Sequence, residues 1–376
     1  MLAAAATVLA AAGTVGAQEH RFGPLPVAEA WLGSGSGFLS LPIDTPATPE
    51  VGGGRWQVTA SLSLSSFWLR SPSVSEVIEA RRYRGPVTAE ELDGISPWPG
   101  FEGIYFADME VHRLTLDARR RFGRRLELGL RASIVNADGG FVDPLIEGFH
   151  DFFGFRQSGR PQTFHNGYGL YVRRDGPGGY GEQLRFVRFE QAGLGLGETI
   201  VSLKSGLGPE SGAWRQAIQV QLKLPTADDD RFHGTGSVDA ALQYLASRSW
   251  RRWTLYGNAG FTRLGGHDLL TLKPQNIITA AIAAERPTGP RSSIVLQLRH
   301  QQSPFRQLNL SILGVTATLI DIGWTRRLES TRSGLHRSAY FSLSNNTAKY
   351  GSAVDISLNT GIRFQTGPGQ RSGALR

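Results

Sequence analysis

Near its end the sequence reads Val354-Asp355-Ile356-Ser357-Leu358-Asn359-Thr360-Gly361-Ile362-Arg363-Phe364. Successive side chains of an extended strand point to opposite sides, so Val354, Ile356, Leu358, Ile362 and Phe364 share one face and Asp355, Ser357, Asn359, Gly361 and Arg363 share the other. Such a strand belongs to a sheet that is apolar on one side and wet on the other. The alternation returns upstream. Trp56, Val58, Ala60, Leu62 and Leu64 oppose Gln57, Thr59, Ser61, Ser63 and Ser65. Leu126, Leu128, Leu130, Ala132 and Ile134 oppose Glu127 and Arg131, and Ile218, Val220, Leu222 and Leu224 oppose Gln219, Gln221 and Lys223.

Marking every such run predicts strands near residues 55–69, 107–121, 125–136, 198–207, 214–224, 237–247, 252–264, 276–286, 291–301, 314–327, 337–345 and 352–364. Short connections such as Phe122-Gly123-Arg124, Arg248 to Arg251 and Pro287 to Pro290 alternate with long ones. About twelve strands (10 to 14), each of about ten residues with short and long loops alternating, describe an all-β transmembrane antiparallel barrel of the bacterial outer membrane. A secreted β-sandwich uses the same alternation. Two features favour the barrel. Trp56, Phe122, Trp214, Trp250, Trp253, Trp324 and Phe364 fall at the short-turn ends, and Trp68, Phe106 and Phe261 toward the other, as two interfacial girdles would. Arginines such as Arg120, Arg248, Arg251 and Arg326 gather at the short turns, while Asp228, Asp229 and Asp230 lie in a long loop.

The 376 residues include no cysteine, 40% hydrophobic and 19% charged residues. A disulfide scaffold, a thiolate metal site and a catalytic thiol are thereby excluded. The net charge of +8 comes from scattered arginines with only four lysines, Lys204, Lys223, Lys273 and Lys349, and no basic block points to nucleic acid. Residues 1–17 read as a secretory signal peptide ending at Val15-Gly16-Ala17. A Gly/Pro-rich periplasmic segment is expected over 18–54, the barrel over 55–364, and a Gly/Arg tail over 365–376 beyond the terminal aromatic that barrel-assembly machinery would engage.

One connection, 137–197, is too long for a structureless loop. Asp143-Pro144 reads as an N-cap and first helical residue, Gly154 as a stop, and Leu145, Ile146, Phe149, Phe152 and Phe153 as one apolar helical face. Residues 168–173 and 183–189 read as a hairpin. The insertion is expected over or inside the lumen, as a constriction or plug. Its helix carries Asp143, Glu147, His150 and Asp151; Glu147, His150 and Asp151 have the i, i+3, i+4 spacing of a divalent-metal site, and equally of a solvated helix face.

The segment Asp138-Gly139-Gly140-Phe141-Val142-Asp143 through Glu147-Gly148-Phe149-His150-Asp151-Phe152-Phe153-Gly154-Phe155, with Ser158-Gly159-Arg160-Pro161, resembles the hallmark of an uncharacterised family of bacterial outer-membrane β-barrel proteins, catalogued as a domain of unknown function (DUF family 3187). Gly193 to Glu198 and Leu222 to Asp228 resemble its two further recurrent stretches, with Asp expected where Glu198 stands and Gly where Ala227 stands. The resemblance implies an envelope barrel and brings no catalytic residue or cofactor.

For an enzyme the only candidate is His336-Arg337-Ser338, with Asn345 and Asn346 following, which has the spacing of an outer-membrane phospholipase nucleophile but lacks the glycine after the serine and asparagine. The expectation is a non-enzymatic, porin-like channel or solute-binding barrel of a Gram-negative outer membrane. Glu127, Arg131, Gln219, Gln221, Lys223, Asp355, Asn359 and Arg363 would line the lumen. The partners would be outer-membrane lipid, lipopolysaccharide and a small solute, with no cofactor. A lipid hydrolase and a closed structural or adhesive barrel are the alternatives.

Overall fold

The computed structural model describes residues 21–27, 38–46, 56–123, 125–154, 157, 159–175, 182–208, 214–227, 233–266, 274–307, 314–328, 335–347 and 356–366. Residues 1–17, where a signal peptide is expected, Asp355, the acidic run at 228–230 and the tail from 367 onward lie outside them.

The strands are β1 (Trp56–Arg70), β2 (Gly103–Phe122), β3 (Leu126–Asp138), β4 (Gly169–Asp175), β5 (Glu182–Arg188), β6 (Gly193–Leu196), β7 (Thr199–Leu207), β8 (Trp214–Leu224), β9 (Asp239–Trp250), β10 (Trp253–Arg263), β11 (Ile277–Gly289), β12 (Ser292–Gln301), β13 (Ala317–Arg327), β14 (Leu335–Asn346) and β15 (Ile356–Thr366). The helices are α1 (Pro72–Glu79), α2 (Ala89–Asp93) and α3 (Asp143–Phe153). β1, β2, β3 and β7 to β15 pair each with the next, all antiparallel, and β15 returns to β1 with Ser63 opposite Asn359. The result is a closed twelve-stranded barrel. Closure gives each wall strand a hydrogen-bonded neighbour on both edges, which is the condition for crossing hydrocarbon. Among the described residues no helix is long and apolar enough to span a membrane.

The alternation places each strand. Every wall strand keeps a large apolar side chain exposed on its outer face: Leu62, Leu114, Leu128, Leu203, Val220, Leu242, Leu255, Ile282, Leu296, Ile322, Phe341 and Ile362 in strand order. A continuous apolar belt of this extent is a lipid surface, far larger than the patches a water-soluble monomer tolerates. The neighbours on each strand point inward and are buried though polar, among them Thr59, Arg113, Gln219, Gln243, Asn258, Gln297, Asp321, Ser342 and Ser357.

β6 and β7 form one strand broken by a bulge. Ile134 faces Leu196 and Arg131 faces Ile200, so three steps along β3 match four along its partner. The extra residue falls at Gly197-Glu198 and turns the Glu198 side chain into the interior. β2 extends past the rim, where its first residues pair with β4 of the β4–β5 hairpin. Between β1 and β2, α1 starts at Pro72 and packs Val74 and Ile78 against Trp68, Phe106 and Tyr171. Trp68 and Phe106 are therefore core residues of this extension and not part of a girdle.

Residues 18–54 depart most from expectation. Their described parts, 21–27 and 38–46, run inside the barrel rather than beside it, with Phe22, Leu25, Val27, Phe38, Leu39, Leu41 and Ile43 all buried. The segment has no sequence period because its backbone bonds to wall side chains instead of to another strand.

Candidate functional site

The lumen is defined by what holds this N-terminal segment in place. Glu285 on β11 accepts from the backbone N–H of Phe22 at 2.7 Å and of Gly23 at 3.1 Å, and from the hydroxyls of Tyr256 and Ser293. Gln297 accepts from Leu25 N–H at 2.6 Å, Asp239 from Leu39 N–H at 2.9 Å, and Gln243 donates to the Pro42 carbonyl at 3.0 Å. Arg363 donates to the Phe22 carbonyl at 2.5 Å. Two inward glycines complete the fit. A Cβ at Gly260 would lie 2.5 Å from Leu41 Cδ1, and one at Gly323 would lie 2.8 Å from both Leu25 methyls, so the wall is hollowed where the plug leucines press against it.

Two buried ionic clusters carry the rest. Lys204 Nζ lies 3.0 Å from Asp44 and 2.9 Å from Glu127, while Arg119 contacts Asp44 at 2.6 Å and Asp117 at 2.7 Å, and Arg131 contacts Asp117 at 3.1 Å. Asp44 belongs to the plug, so this cluster ties the plug to β2, β3 and β7. Higher in the wall, Lys223 Nζ lies 3.3 Å from Glu198 and 3.2 Å from Asp239. Glu198 also accepts from Thr235 N–H at 2.9 Å. Removing a single partner from such a cluster strands a charge in low dielectric, so each holds its neighbours in one arrangement.

Of the eight residues expected to line the lumen, Glu127, Gln219, Gln221, Lys223 and Asn359 are buried, Arg131 and Arg363 are half-buried with partners on the inner side, and Asp355 lies outside the described residues. Asp44, Asp117, Arg119, Glu198, Lys204, Asp239 and Glu285 complete the set. Of these, the five on strands β2, β7, β9 and β11 share the inner face by parity alone, whereas Asp44 and Glu198 carry no periodic signal.

Between the plug and β15, β1, β2 and β3 lies a cavity of about 810 Å³ including its open mouth. Phe22, the prolines 24, 26 and 42, Tyr340, Asn359, Arg363, Arg131 and Asp117 are on its walls. Above it, an apolar cluster that includes Phe38, Tyr105, Leu170, Val172, Phe305 and Leu319 reaches from β2 and β4 to β13 and closes the long-loop end. The insertion therefore supplies part of a roof, and the lumen itself is filled by the N-terminal segment.

The remainder of the insertion docks outside the rim. Glu110 accepts from Phe141 N–H at 3.0 Å and Val142 N–H at 2.7 Å, and contacts His112 Nε2 at 3.1 Å. Gly140 has φ +66° and no room for a Cβ beside Glu110. α3 begins after Val142 as its cap, so Asp143 is the first helical residue; its carboxylate pairs with Arg160 and accepts from Asn166 N–H at 2.7 Å. The hallmark segment is thus a structural clasp. The helix does not bury its whole apolar stripe: Ile146 is buried, whereas Leu145 is 63% and Phe152 82% exposed.

Glu147 is bound to Arg84 at 3.1 Å and His165 at 3.0 Å, and Asp151 accepts from Gln157 at 2.7 Å. Glu147, His150 and Asp151 do not converge, and among the described residues no three His, Asp or Glu side chains are placed to hold a metal. Partial burial pushes Glu147 up, but the His165 and Arg84 hydrogen bonds outweigh it and hold the carboxyl below its usual range. In the β4–β5 extension, hydrogen bonds from Arg185 and Tyr171 depress Asp93 likewise. Burial, then the Asp93 hydrogen bond, pushes the Tyr171 hydroxyl up to about 12.

His336 and Ser338 sit at the short-turn end of β14, opposite Gln365 and Arg363, whereas Asn345 and Asn346 are at its other end, roughly 23 Å away at strand rise. The three groups of a lipase-like site do not meet.

At that same short-turn end, guanidinium groups stack on outward aromatics around the barrel: Arg120 on Trp56 and Phe122, Arg248 on Trp214, Arg251 on Trp250, Arg286 on Trp253 and Arg326 on Trp324, each 4.9–5.9 Å from the ring centre.

Fold and lumen together define a transmembrane β-barrel that is filled by its own N-terminal segment. Residues 95–364 match the family described as "Protein of unknown function (DUF3187)", and the chain belongs to that family. The three stretches that resemble recurrent segments of this family form the outer clasp and, joined by the Lys223–Glu198 ion pair, the upper luminal cluster. No curated protein matches the chain. Similar solved structures include an outer-membrane channel from Pseudomonas putida F1 (11% identity, 85% of this chain and 98% of that one, TM-score 0.45). The P. putida toluene transporter TodX (10%, 88% and 94%, 0.35) and the Ralstonia pickettii toluene transporter TbuX (11%, 86% and 92%, 0.38) are others.

Proposed function

We propose that this protein is a non-enzymatic passage barrel of the outer membrane, with its short turns in the periplasm, through which a small solute moves when the N-terminal segment shifts. One observation carries the reading: the wall is closed and lipid-facing, yet its interior is occupied by a segment whose described residues are held by wall side chains, at Glu285, Asp239, Gln243, Arg363 and the Asp44 cluster. A permanently solid barrel has no need of a removable filling. The insertion acts as a roof over the mouth, and the Arg–Trp ring meets lipid phosphates at the short-turn face.

The test exploits the absence of cysteine. Leu41→Cys with Gly260→Cys places two thiols where a leucine methyl now meets the wall glycine. In planar bilayers, the oxidised pair is expected to be silent and the reduced pair to recover the openings of the parent protein. A variant lacking 18–46 is expected to conduct steadily. Equal conductance in the oxidised, reduced and deleted forms, each heat-modifiable on gels, would sink the reading. Deletion of 137–197 separates the roof from the plug: it is expected to widen access with residues 21–27 and 38–46 still in place.

A further inference from the structure

The cavity between plug and wall has an unequal charge balance. Its lining carries three guanidinium groups, Arg119, Arg131 and Arg363, against two carboxylates, Asp44 and Asp117. Arg119 and Arg131 are taken up by those carboxylates, and Lys204 and Glu127 behind them pair with each other. Arg363 is left. Among the described residues it makes no ion pair; its one hydrogen bond goes to the Phe22 carbonyl at 2.5 Å, and its Nε is closed off from solvent without an acceptor. Glu285, across the Phe22 peptide, is already taken by four donors. The residues facing Arg363 in register are Thr59 and Ser338, both uncharged.

A guanidinium has five N–H donors in a planar fork suited to carboxylate and phosphate oxygens. A half-buried guanidinium without a counter-ion carries part of its desolvation cost, and a bound anion offsets it. Tyr340 and Asn359 stand on the same wall as hydrogen-bonding neighbours, Gln57, Thr59, Ser61 and Thr115 add further polar groups, and Phe22 and the prolines supply an apolar side. We infer that this cavity is a binding site for a small anion, a carboxylate or a phosphate, received by Arg363. The inference deepens the transport reading by naming the class of solute, but the binding itself needs no membrane and stands apart from conduction.

The experiment is calorimetric titration of the full-length, detergent-folded protein with benzoate, inorganic phosphate and neutral benzyl alcohol. One of the two anions is expected to bind saturably, one per chain, at least tenfold more tightly than benzyl alcohol. Benzoate alone identifies a carboxylate site and phosphate alone a phosphate site. Arg363→Met is expected to lose tenfold or more of the anion affinity, and Arg363→Lys, which keeps the charge without the fork, to fall between. Absence of saturation by both anions, equal affinity for the alcohol, or unchanged affinity in Arg363→Met would overturn the assignment. Should Arg363→Met fail the heat-modifiability check, the anion-to-alcohol ratio and the Arg363→Lys value decide. Anion binding in a barrel that never conducts would retain the site and discard the transport reading.

Discussion

Lys223 has almost no surface of its own; its ammonium exists inside the wall because Glu198 and Asp239 reach it from the bulge and from β9. Lys223→Met leaves two carboxylates facing each other in low dielectric, at a cost of about 3–5 kcal/mol. The expected outcome is a lower urea midpoint for loss of the heat-modifiable form, with Lys223→Arg retaining part of the stability. Lys223 is legible in the sequence as an inward residue, since parity assigns every residue of Ile218 to Leu224 to a side. Glu198 is not, because a bulge inserts a residue and breaks parity where it matters. Asp44 is equally illegible: it is an acidic residue in an aperiodic stretch whose partners, Arg119 and Lys204, are far away in sequence.

The twelve wall elements are readable because a lipid-facing strand has to alternate along its whole length, while the extension is readable only in part. β4 and β5 follow the same rule and emerge as a hairpin, whereas α1 and α2 are too short for a helical period to stand out. The extension is tied down by exposed ion pairs as well as by its core. Asp93 and Glu147 have folded-state pKa values below their unfolded ones, so their stabilising contribution is full above the ordinary carboxylate range. It is lost as pH falls through the depressed folded values. Hydrogen exchange should show α2, α3 and the β4–β5 hairpin opening faster below about pH 4, with wall strands β8 to β13 unchanged. Wall amides opening over the same interval would contradict the view that the extension is an independent unit.

At the scale of the whole molecule, cations mark one rim of the barrel. Its short-turn rim carries the guanidinium–aromatic ring, where each cation near an anionic surface contributes about 1 kcal/mol at low salt. Refolding should therefore be faster into vesicles containing phosphatidylglycerol than into phosphatidylcholine alone, and Arg248→Gln with Arg326→Gln should narrow the difference. Equal rates for parent and variant would remove the ring from membrane recognition. The interior carries a different consequence, which concerns time rather than space. Residues 21–27 and 38–46 precede every wall strand in the sequence, yet the wall that surrounds them is sealed by the pairing of β1 with β15, the first strand with the last. Once that seam is closed, a buried carboxylate at Asp44 and leucines at 25 and 41 can be seated only from the ends of the barrel, whereas before closure they are reached from the side. A segment seated before closure would serve the wall as a mandrel made by its own chain.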